Sequence, residues 1–154
     1  MAKLIILSGV PGAGKSTFAR ENQWGGPVVI LSTDNIRKTL TGNASCLDKD
    51  EIVWRYIYAV LEKPHVNATY IVDATNIATK RRLSYLQYVG NFESIEFIYL
   101  HVAGDVALGR NSSRDRKVPE SVINDMLKMA ESNSNFMELI SAGYDKVTII
   151  DNNE

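Results

Sequence analysis

Residues 9–17, Gly-Val-Pro-Gly-Ala-Gly-Lys-Ser-Thr, decide the fold of this 154-residue chain. Their spacing is G-x-x-x-x-G-K-S, the P-loop pattern, in which glycines let successive backbone N–H groups point at a phosphate. The apolar run Lys3–Ser8 before them has the length of a strand, and Thr17–Glu21 after them can begin a helix. Because strand, loop and helix follow one another, we interpret the stretch as a nucleotide-binding loop rather than a chance glycine-rich turn.

The loop predicts a bound nucleoside triphosphate together with Mg²⁺. Lys15 can reach the β- and γ-phosphates, and the Ser16 hydroxyl is placed to ligate the metal. The next helix directs its positive N-terminal end at the same anion. The residues of the loop that we predict to contact the nucleotide are Gly9, Pro11, Gly12, Ala13, Gly14, Lys15, Ser16 and Thr17.

Length and composition predict one domain, residues 1–154, of ordinary globular character. Cys46 is the one cysteine, so an internal disulfide is excluded, and no apolar run is long enough to cross a membrane. We therefore expect a cytoplasmic protein. The net charge is −1, and the basic residues are local, at 80–82 and 110–117, so any contact with nucleic acid should be short.

Apolar runs and helical periodicity alternate along the chain, which predicts an α/β fold with a parallel sheet. Strands are predicted at 3–8, 28–31, 68–72, 94–102 and 146–150. Helices are predicted to start near Lys15 and to cover 35–40, 48–63, 79–88, 105–114 and 120–132, with a loop at 41–45. Ligands bind at the carboxyl ends of parallel strands, and Gly9, Asp34, Asp73 and Gly104 lie at or just past such ends.

Asp34 directly follows the second predicted strand. It is a candidate general base for an acceptor hydroxyl, a role that contributes about 10²–10⁴ in rate; the alternative is a helix N-cap. Arg37, three residues on, shares its helical face and could hold an acceptor phosphate or steer Asp34, or else be a surface arginine.

Asp73 ends the third predicted strand, at the Walker B position, where a carboxylate can hold a Mg²⁺-bound water or bond Ser16. The alternative is ordinary turn chemistry over residues 73–76. Thr75 and Asn76 are candidates for contact with the acceptor. The aromatic residues Trp54, Tyr56 and Tyr58 are predicted to pack in the core rather than to form a ligand platform.

Cations cluster where the fourth predicted strand is followed by a helix. Arg110 and Arg114 share a helical face, and Arg116 and Lys117 follow. We predict a lid over about 110–131 whose arginines close on the phosphates; the alternative is a solvated face paired with Asp105 and Asp115.

Taken together, these motifs resemble the 5′-hydroxyl polynucleotide kinase domain of bacteriophage end-healing enzymes. The matching stretches run in order from residue 9 to about 130: 9–17, 33–37, 73–76 with 81–82, and 110–114 with 118–120. The resemblance implies the P-loop NTPase fold, a five-stranded parallel sheet in the order 2-3-1-4-5 with helices on both faces. It also implies the donor ATP and the metal Mg²⁺.

The resemblance implies a role for each matching residue. Lys15 and Ser16 bind the triphosphate and metal, and Asp34 activates the 5′-hydroxyl. Arg37 engages a phosphate of the acceptor. Arg114 is the lid arginine at the reacting phosphates, and Arg110 lies beside the nucleotide. The implied activity is a polynucleotide 5′-hydroxyl kinase that acts on a nucleic-acid end.

The sequence departs from this family in two places. Some members carry a basic residue where this chain has Thr33, which keeps open a second hypothesis, a kinase of small metabolites, nucleosides or sugar nucleotides. The D-x-D-G-T phosphatase pattern is missing, so no 3′-phosphatase activity is expected. A nucleotide-driven switch that phosphorylates nothing is a third hypothesis, disfavoured because the N-K-x-D guanine signature is absent.

Overall fold

The structure, a computed structural model, describes residues 1–42, 50–114 and 117–153. Cys46, part of the predicted 41–45 loop and the first residues of the predicted 48–63 helix lie outside these ranges. Five strands form one parallel sheet in the order β2-β3-β1-β4-β5, which confirms the order that the resemblance implied. The strands are β1 Ala2–Ser8, β2 Val28–Ser32, β3 Thr69–Asp73, β4 Phe92–His101 and β5 Lys146–Asp151.

Helices surround this sheet, as an α/β fold requires. They are α1 Lys15–Glu21, α2 Thr33–Thr41, α3 Asp50–Glu62, α4 Thr79–Ser84, α5 Gly104–Ser112, α6 Glu120–Ser132 and α7 Met137–Ala142. None of the helices in the described ranges is long and apolar enough to cross a membrane.

The core is built on the middle strand of the sheet, β1, and its neighbour β3. Every residue of β3 is buried, and Leu4 and Ile6 in β1 have no exposed surface. Such continuous burial is typical of parallel strands covered on both faces. In α3, Val53, Ile57 and Leu61 recur every four residues and are fully buried, each contributing about 1.5–3 kcal/mol.

Strand register places the polar ends of three strands together. Asp73 pairs with Leu7 of β1 on one side and with Ser32 of β2 on the other. The P-loop, the start of α2 and the loop after β3 therefore leave the sheet at the same edge. This is the edge at which open α/β sheets bind ligands.

Two elements differ from the prediction. The predicted helix over 79–88 ends as an α-helix at Ser84 and continues as a 3₁₀ helix, Tyr85–Asn91. Tyr85 and Tyr88 are both buried there, and a three-residue repeat places both on one side of a 3₁₀ helix. The short helix α7 was not predicted, because the strongly exposed Met137 and the exposed Ile140 give it no clear apolar face.

Candidate active site

The P-loop adopts a conformation that only glycine tolerates at two positions. Gly12 and Gly14 have φ angles of 88° and 89°, in the left-handed region. A Cβ atom on Gly12 would lie 2.7 Å from the carbonyl oxygen of Ala107, and one on Gly14 would lie 2.5 Å from the amide nitrogen of Asn152. Both glycines are thus required by conformation and by close packing. Gly14 is the N-cap of α1 and makes no side-chain capping bond.

Lys15 lies where several of the predicted charges converge. Burial lowers the pKa of its ammonium, while the negative charges of Asp73 and Asp34 oppose that shift and Arg114 adds to it. Its Nζ donates to the carbonyl oxygen of Val10 at 3.3 Å. These charges act on one another because Lys15, Asp34, Asp73 and Arg114, although distant in sequence, lie close together in the fold.

Ser16 and Asp73 form a direct hydrogen bond. The Ser16 hydroxyl donates to Oδ2 of Asp73 at 2.7 Å, and Asp73 is only 5% exposed. A hydroxyl and a carboxylate are hard oxygen ligands of the kind that Mg²⁺ prefers, and it also keeps several waters. The pair therefore fits a magnesium ion held partly through water.

Asp34 is not the N-cap of α2. Ser32 takes that position, and its hydroxyl oxygen accepts the backbone N–H of Asn35 at 3.3 Å. Asp34 lies one residue inside the helix, its side chain 43% exposed and lining the cleft. The structure thus removes the capping alternative and leaves this carboxylate open to solvent and ligand.

Arg37 is buried, which rules out the surface alternative. The residue is 6% exposed, and Nη1 donates to Oδ1 of Asp34 at 3.0 Å. Its Nε and Nη2 lie 2.8 and 2.7 Å from Oδ1 of Asp50 at the start of α3. Asp50 was not among the predicted site residues, since nothing in the local sequence links it to Arg37. It braces the guanidinium that in turn holds Asp34.

Residues 73–76 are adjacent in sequence, but their side chains have two different roles in the structure. Thr75 lines the cleft beside Asp73. Asn76 is 3% exposed, its side-chain nitrogen donates to Leu7 at 2.7 Å and its oxygen accepts from Tyr85 at 2.6 Å. With both amide atoms engaged in the fold, Asn76 is better explained as a structural residue than as the predicted acceptor contact.

Arg82 is structural as well. It is 2% exposed and donates to the carbonyl oxygens of Asn76 and Asn133, both at 2.6 Å. Burial lowers its pKa to about 10. Arg81, its neighbour, instead lines the cleft together with Trp54. Trp54 both lines the cleft and packs against the core beside Tyr85, and Tyr58 packs there as predicted. The core prediction was wrong for Tyr56, which is 48% exposed.

The predicted lid begins at Arg110, which already contacts the P-loop. Its guanidinium donates to the carbonyl oxygens of Gly12 at 3.1 Å and of Asn152 at 2.7 Å. Asn111 exchanges two hydrogen bonds with the backbone of Val118, at 2.7 and 2.9 Å, and so holds these two residues together. Arg114 and Lys117 line the cleft, and Arg116 lies outside the described residues.

Asn152, just after β5, was not predicted from the sequence. Its amide nitrogen donates to the carbonyl oxygen of Ala13 at 2.6 Å, and its own carbonyl oxygen accepts from Arg110. The residue that follows the fifth strand thus stabilises the P-loop and connects it to Arg110 through hydrogen bonds. A single asparagine after a strand carries no signal that would have revealed this role.

One cleft of about 970 Å³ gathers most of the predicted residues. Two predicted nucleotide contacts do not line it: Gly9 packs against Ala13 and Leu100, and Ala13 is fully buried. The predicted residues that do line it are Pro11, Gly12, Gly14, Lys15, Ser16, Thr17, Asp34, Arg37, Asp73, Thr75, Asn76, Arg110 and Arg114.

This fold and cleft define a P-loop kinase-like protein, and the fold implies nucleotide binding. A family model described as an AAA domain matches residues 4–132. The chain therefore belongs to this AAA domain family.

Solved structures share the same fold. A chain of the Pnkp1/Rnl/Hen1 RNA repair complex superimposes with a TM-score of 0.73 at 22% identity; the match covers 86% of this chain and 45% of that one. A gluconokinase from Sinorhizobium meliloti 1021 gives 0.63 at 21% identity, with 99% and 83% covered. Kti12 of Chaetomium thermophilum in complex with ADP-AlF3 gives 0.64 at 17% identity, with 96% and 88% covered. At such identities the likeness concerns the fold alone.

Proposed function

We propose that this protein transfers the γ-phosphate of ATP, with Mg²⁺, to the 5′-hydroxyl of a polynucleotide end. The observation that carries the proposal is the convergence, in one cleft, of the P-loop Lys15, the Ser16–Asp73 pair and the Asp34–Arg37 pair. Lys15, Ser16 and Asp73 suit a triphosphate and its metal. Asp34 and Arg37 suit an acceptor that carries both a hydroxyl and a phosphate.

In the proposed reaction the acceptor hydroxyl oxygen bonds to the γ-phosphorus, the bond from that phosphorus to the β–γ bridging oxygen breaks, and ADP leaves. Asp34 takes the hydroxyl proton. Its exposed carboxylate is oriented by the 3.0 Å contact with Arg37, which supports a steering role for that arginine. Because little covalent chemistry falls to the protein, positioning and charge account for most of the expected rate.

Charge neutralisation is the part proposed for Lys15 and the lid. Lys15 would hold the β- and γ-phosphates, and Arg114 would meet the charge that develops on the transferred group. Bound Mg²⁺ would neutralise phosphate charge from its place beside Ser16 and Asp73. Arg110, which now bonds two backbone carbonyl groups at the P-loop, would lie beside the nucleotide.

Label transfer from γ-labelled ATP tests the proposal directly. With Mg²⁺ present, a short oligonucleotide with a 5′-hydroxyl should accept label, and the same oligonucleotide with a 5′-phosphate should not. Running DNA and RNA versions in parallel would determine the preferred acceptor. ATP binding without label on any 5′-hydroxyl end would overturn the polynucleotide assignment.

A small-metabolite, nucleoside or sugar-nucleotide kinase is the second candidate. The net charge of −1 and Thr33 beside Asp34 favour it, because a polynucleotide grip usually involves more positive charge. Competition between oligonucleotides and a small acceptor distinguishes the two candidate functions. Oligonucleotides should inhibit phosphorylation of any small acceptor if the cleft is built for a nucleic-acid end, and should fail to do so otherwise.

A further inference from the structure

The cleft extends beyond the groups that the proposed phosphoryl transfer uses. One stretch of its remaining wall is mostly apolar and contains one further arginine, while Lys117 and Asp50 lie elsewhere in the lining: the stretch consists of Trp54, Ile77, Arg81, Val122, Met126 and Met129. They come from α3, the loop before α4, α4 itself and α6. Apart from Arg81 this stretch offers a phosphate no partner, and its apolar side chains suit a planar, weakly polar ligand group better.

The Arg81 guanidinium lies over an aromatic ring. Its guanidinium carbon lies 3.7 Å from the centroid of the Trp54 ring, well inside the range of a cation–π contact. Its Nη1 donates to the Tyr58 hydroxyl at 2.6 Å. The Tyr58 and Ser84 hydroxyls lie 2.8 Å apart, and Ser84 donates to the carbonyl oxygen of Arg81 at 2.6 Å, which closes a ring of hydrogen bonds.

Arg81 differs from the other arginines around the cleft in its partners. Arg37 is bonded to two carboxylates, and Arg82 is buried against carbonyl oxygens. Within the part of the chain that the structure describes, no carboxylate lies at salt-bridge distance from Arg81. Its neighbour on the other side, Lys80, is exposed and does not line the cleft. The stacked guanidinium is thus fixed by neutral groups and faces a ligand cavity.

We propose that the Arg81–Trp54 stack, with the thioethers of Met126 and Met129, binds a nucleobase of the acceptor. Planar bases stack on aromatic rings and on guanidinium planes without needing a particular sequence, and methionine sulfur packs well against aromatic rings. The inference rests on the proposed function, because it assigns the acceptor's base to the part of the cleft that phosphoryl transfer leaves unused. It makes the preferred acceptor a base-bearing nucleotide rather than a sugar or a simple acid.

Tryptophan fluorescence tests the site without any turnover. The chain has two tryptophans, and Trp24 does not line the cleft but packs against Phe18. In a Trp24→Phe protein, the emission of Trp54 should be quenched by a 5′-hydroxyl dinucleotide and much less by the same compound with an abasic first sugar. Equal quenching by both, or none by either, would overturn the nucleobase site.

Steady-state kinetics provide the second test. Arg81→Met keeps the aliphatic stem and removes the planar cation, and Trp54→Leu keeps an apolar side chain and removes the ring. Each should raise the acceptor KM by about ten- to a hundredfold and leave kcat and the ATP KM nearly unchanged, as expected from the loss of stacking. Lys80→Met, on the same helix, is the control and should change none of these constants.

The two proposals fail in different ways. Normal label transfer by wild type, with an unchanged acceptor KM in both variants, would refute the nucleobase site and leave the kinase assignment standing. No label transfer by wild type, together with base-dependent quenching of Trp54, would refute the polynucleotide acceptor and retain the site. Circular dichroism of each variant verifies that an altered KM comes from a folded protein.

Discussion

Two groups of polar side chains meet at the carboxyl end of the sheet, and the fold uses them differently. The first, which we call the buried network, has its polar atoms bonded within the protein: Ser8, Asn76, Arg82, Tyr85 and Tyr144. The second, which we call the cleft set, faces the cavity: Lys15, Ser16, Asp34, Arg37, Asp73 and Arg114.

Residue type does not separate the two groups. Arg82 and Arg114 are both arginines near phosphate-binding elements, yet Arg82 is 2% exposed and bonded to carbonyl oxygens while Arg114 lines the cleft. A buried polar group must have its hydrogen bonds satisfied by the protein. Among the described residues, no buried side-chain nitrogen or oxygen atom lacks a hydrogen-bond partner. A polar side chain is therefore available to a ligand only where its hydrogen-bond partners are not all supplied by the protein, and replacing members of each group tests this distinction.

The largest effect is expected for Arg114→Met, in the cleft set. If Arg114 meets the charge of the transferred phosphate, turnover should fall by about 10³–10⁵ while thermal stability stays near wild type. Label-transfer kinetics with a parallel melting curve measure both quantities. Arg20→Met, at an exposed position on α1, is the matched control. A loss of less than tenfold would show that Arg114 belongs to a solvated face.

Asp34→Asn should have the next largest effect. The amide keeps the size of the side chain but cannot accept a proton, so turnover should fall by about 10²–10⁴ with ATP affinity retained. Asp105→Asn replaces another first-turn aspartate, exposed on α5, and should leave turnover unchanged. If the activity of Asp34→Asn stayed within a few-fold of wild type, Asp34 would not be the general base, and its role would be limited to its contact with Arg37.

Arg82→Met tests the buried network and should act on stability instead. The change leaves carbonyl oxygens of Asn76 and Asn133 without their donor, which should lower the free energy of unfolding by about 2–4 kcal/mol. Chemical denaturation measures the loss. Lys80→Met, on the exposed side of the same helix, should stay within about 0.5 kcal/mol. A stable Arg82→Met protein that has lost activity would move Arg82 into the cleft set.

The smallest effect concerns alkaline pH. Burial raises the pKa of Tyr144 and raises that of Tyr85 well above its ordinary value near 10. Above about pH 10 the unfolded chain releases these protons while the folded chain keeps them, so the free energy of unfolding falls as pH rises. Tyr144→Phe should reduce that slope by an amount that is small at pH 8–9 and approaches about 1.4 kcal/mol per pH unit only well above pH 10. Denaturation at several pH values from 8 to 11 measures it, and an unchanged slope would contradict the assignment.

Much of the fold follows from local sequence patterns. The apolar runs of β1 and β3 predict buried parallel strands, and Pro119 before the periodic stretch that follows it predicts α6 closely, although Pro119 is its N-cap rather than its first residue. The six-residue α7 and the 3₁₀ helix could not be predicted in the same way, since their residues are ordered by contacts with distant elements. Tyr85, for example, is placed by its bond to Asn76 and by packing against Tyr58.

The candidate site shows the same division. Lys15, Ser16, Asp34 and Asp73 could be predicted because each has a fixed relation to a strand end or to the loop pattern. Asp50 and Asn152 could not, because each acts through a partner far along the chain, Arg37 for the first and Arg110 for the second. Local sequence does not encode which distant side chain will complete a hydrogen bond.

The P-loop and the α/β fold can be predicted from local sequence, because glycine spacing and apolar periodicity act over a few neighbouring residues. Which of the adjacent arginines Arg81 and Arg82 is buried, and which faces the cleft, depends on tertiary packing. Tertiary packing also decided that Asn76 is engaged in the fold and that Trp54 is not wholly in the core. The physical reason is that burial and hydrogen-bond satisfaction are properties of the packed chain, and identical side chains acquire opposite roles according to the groups that surround them.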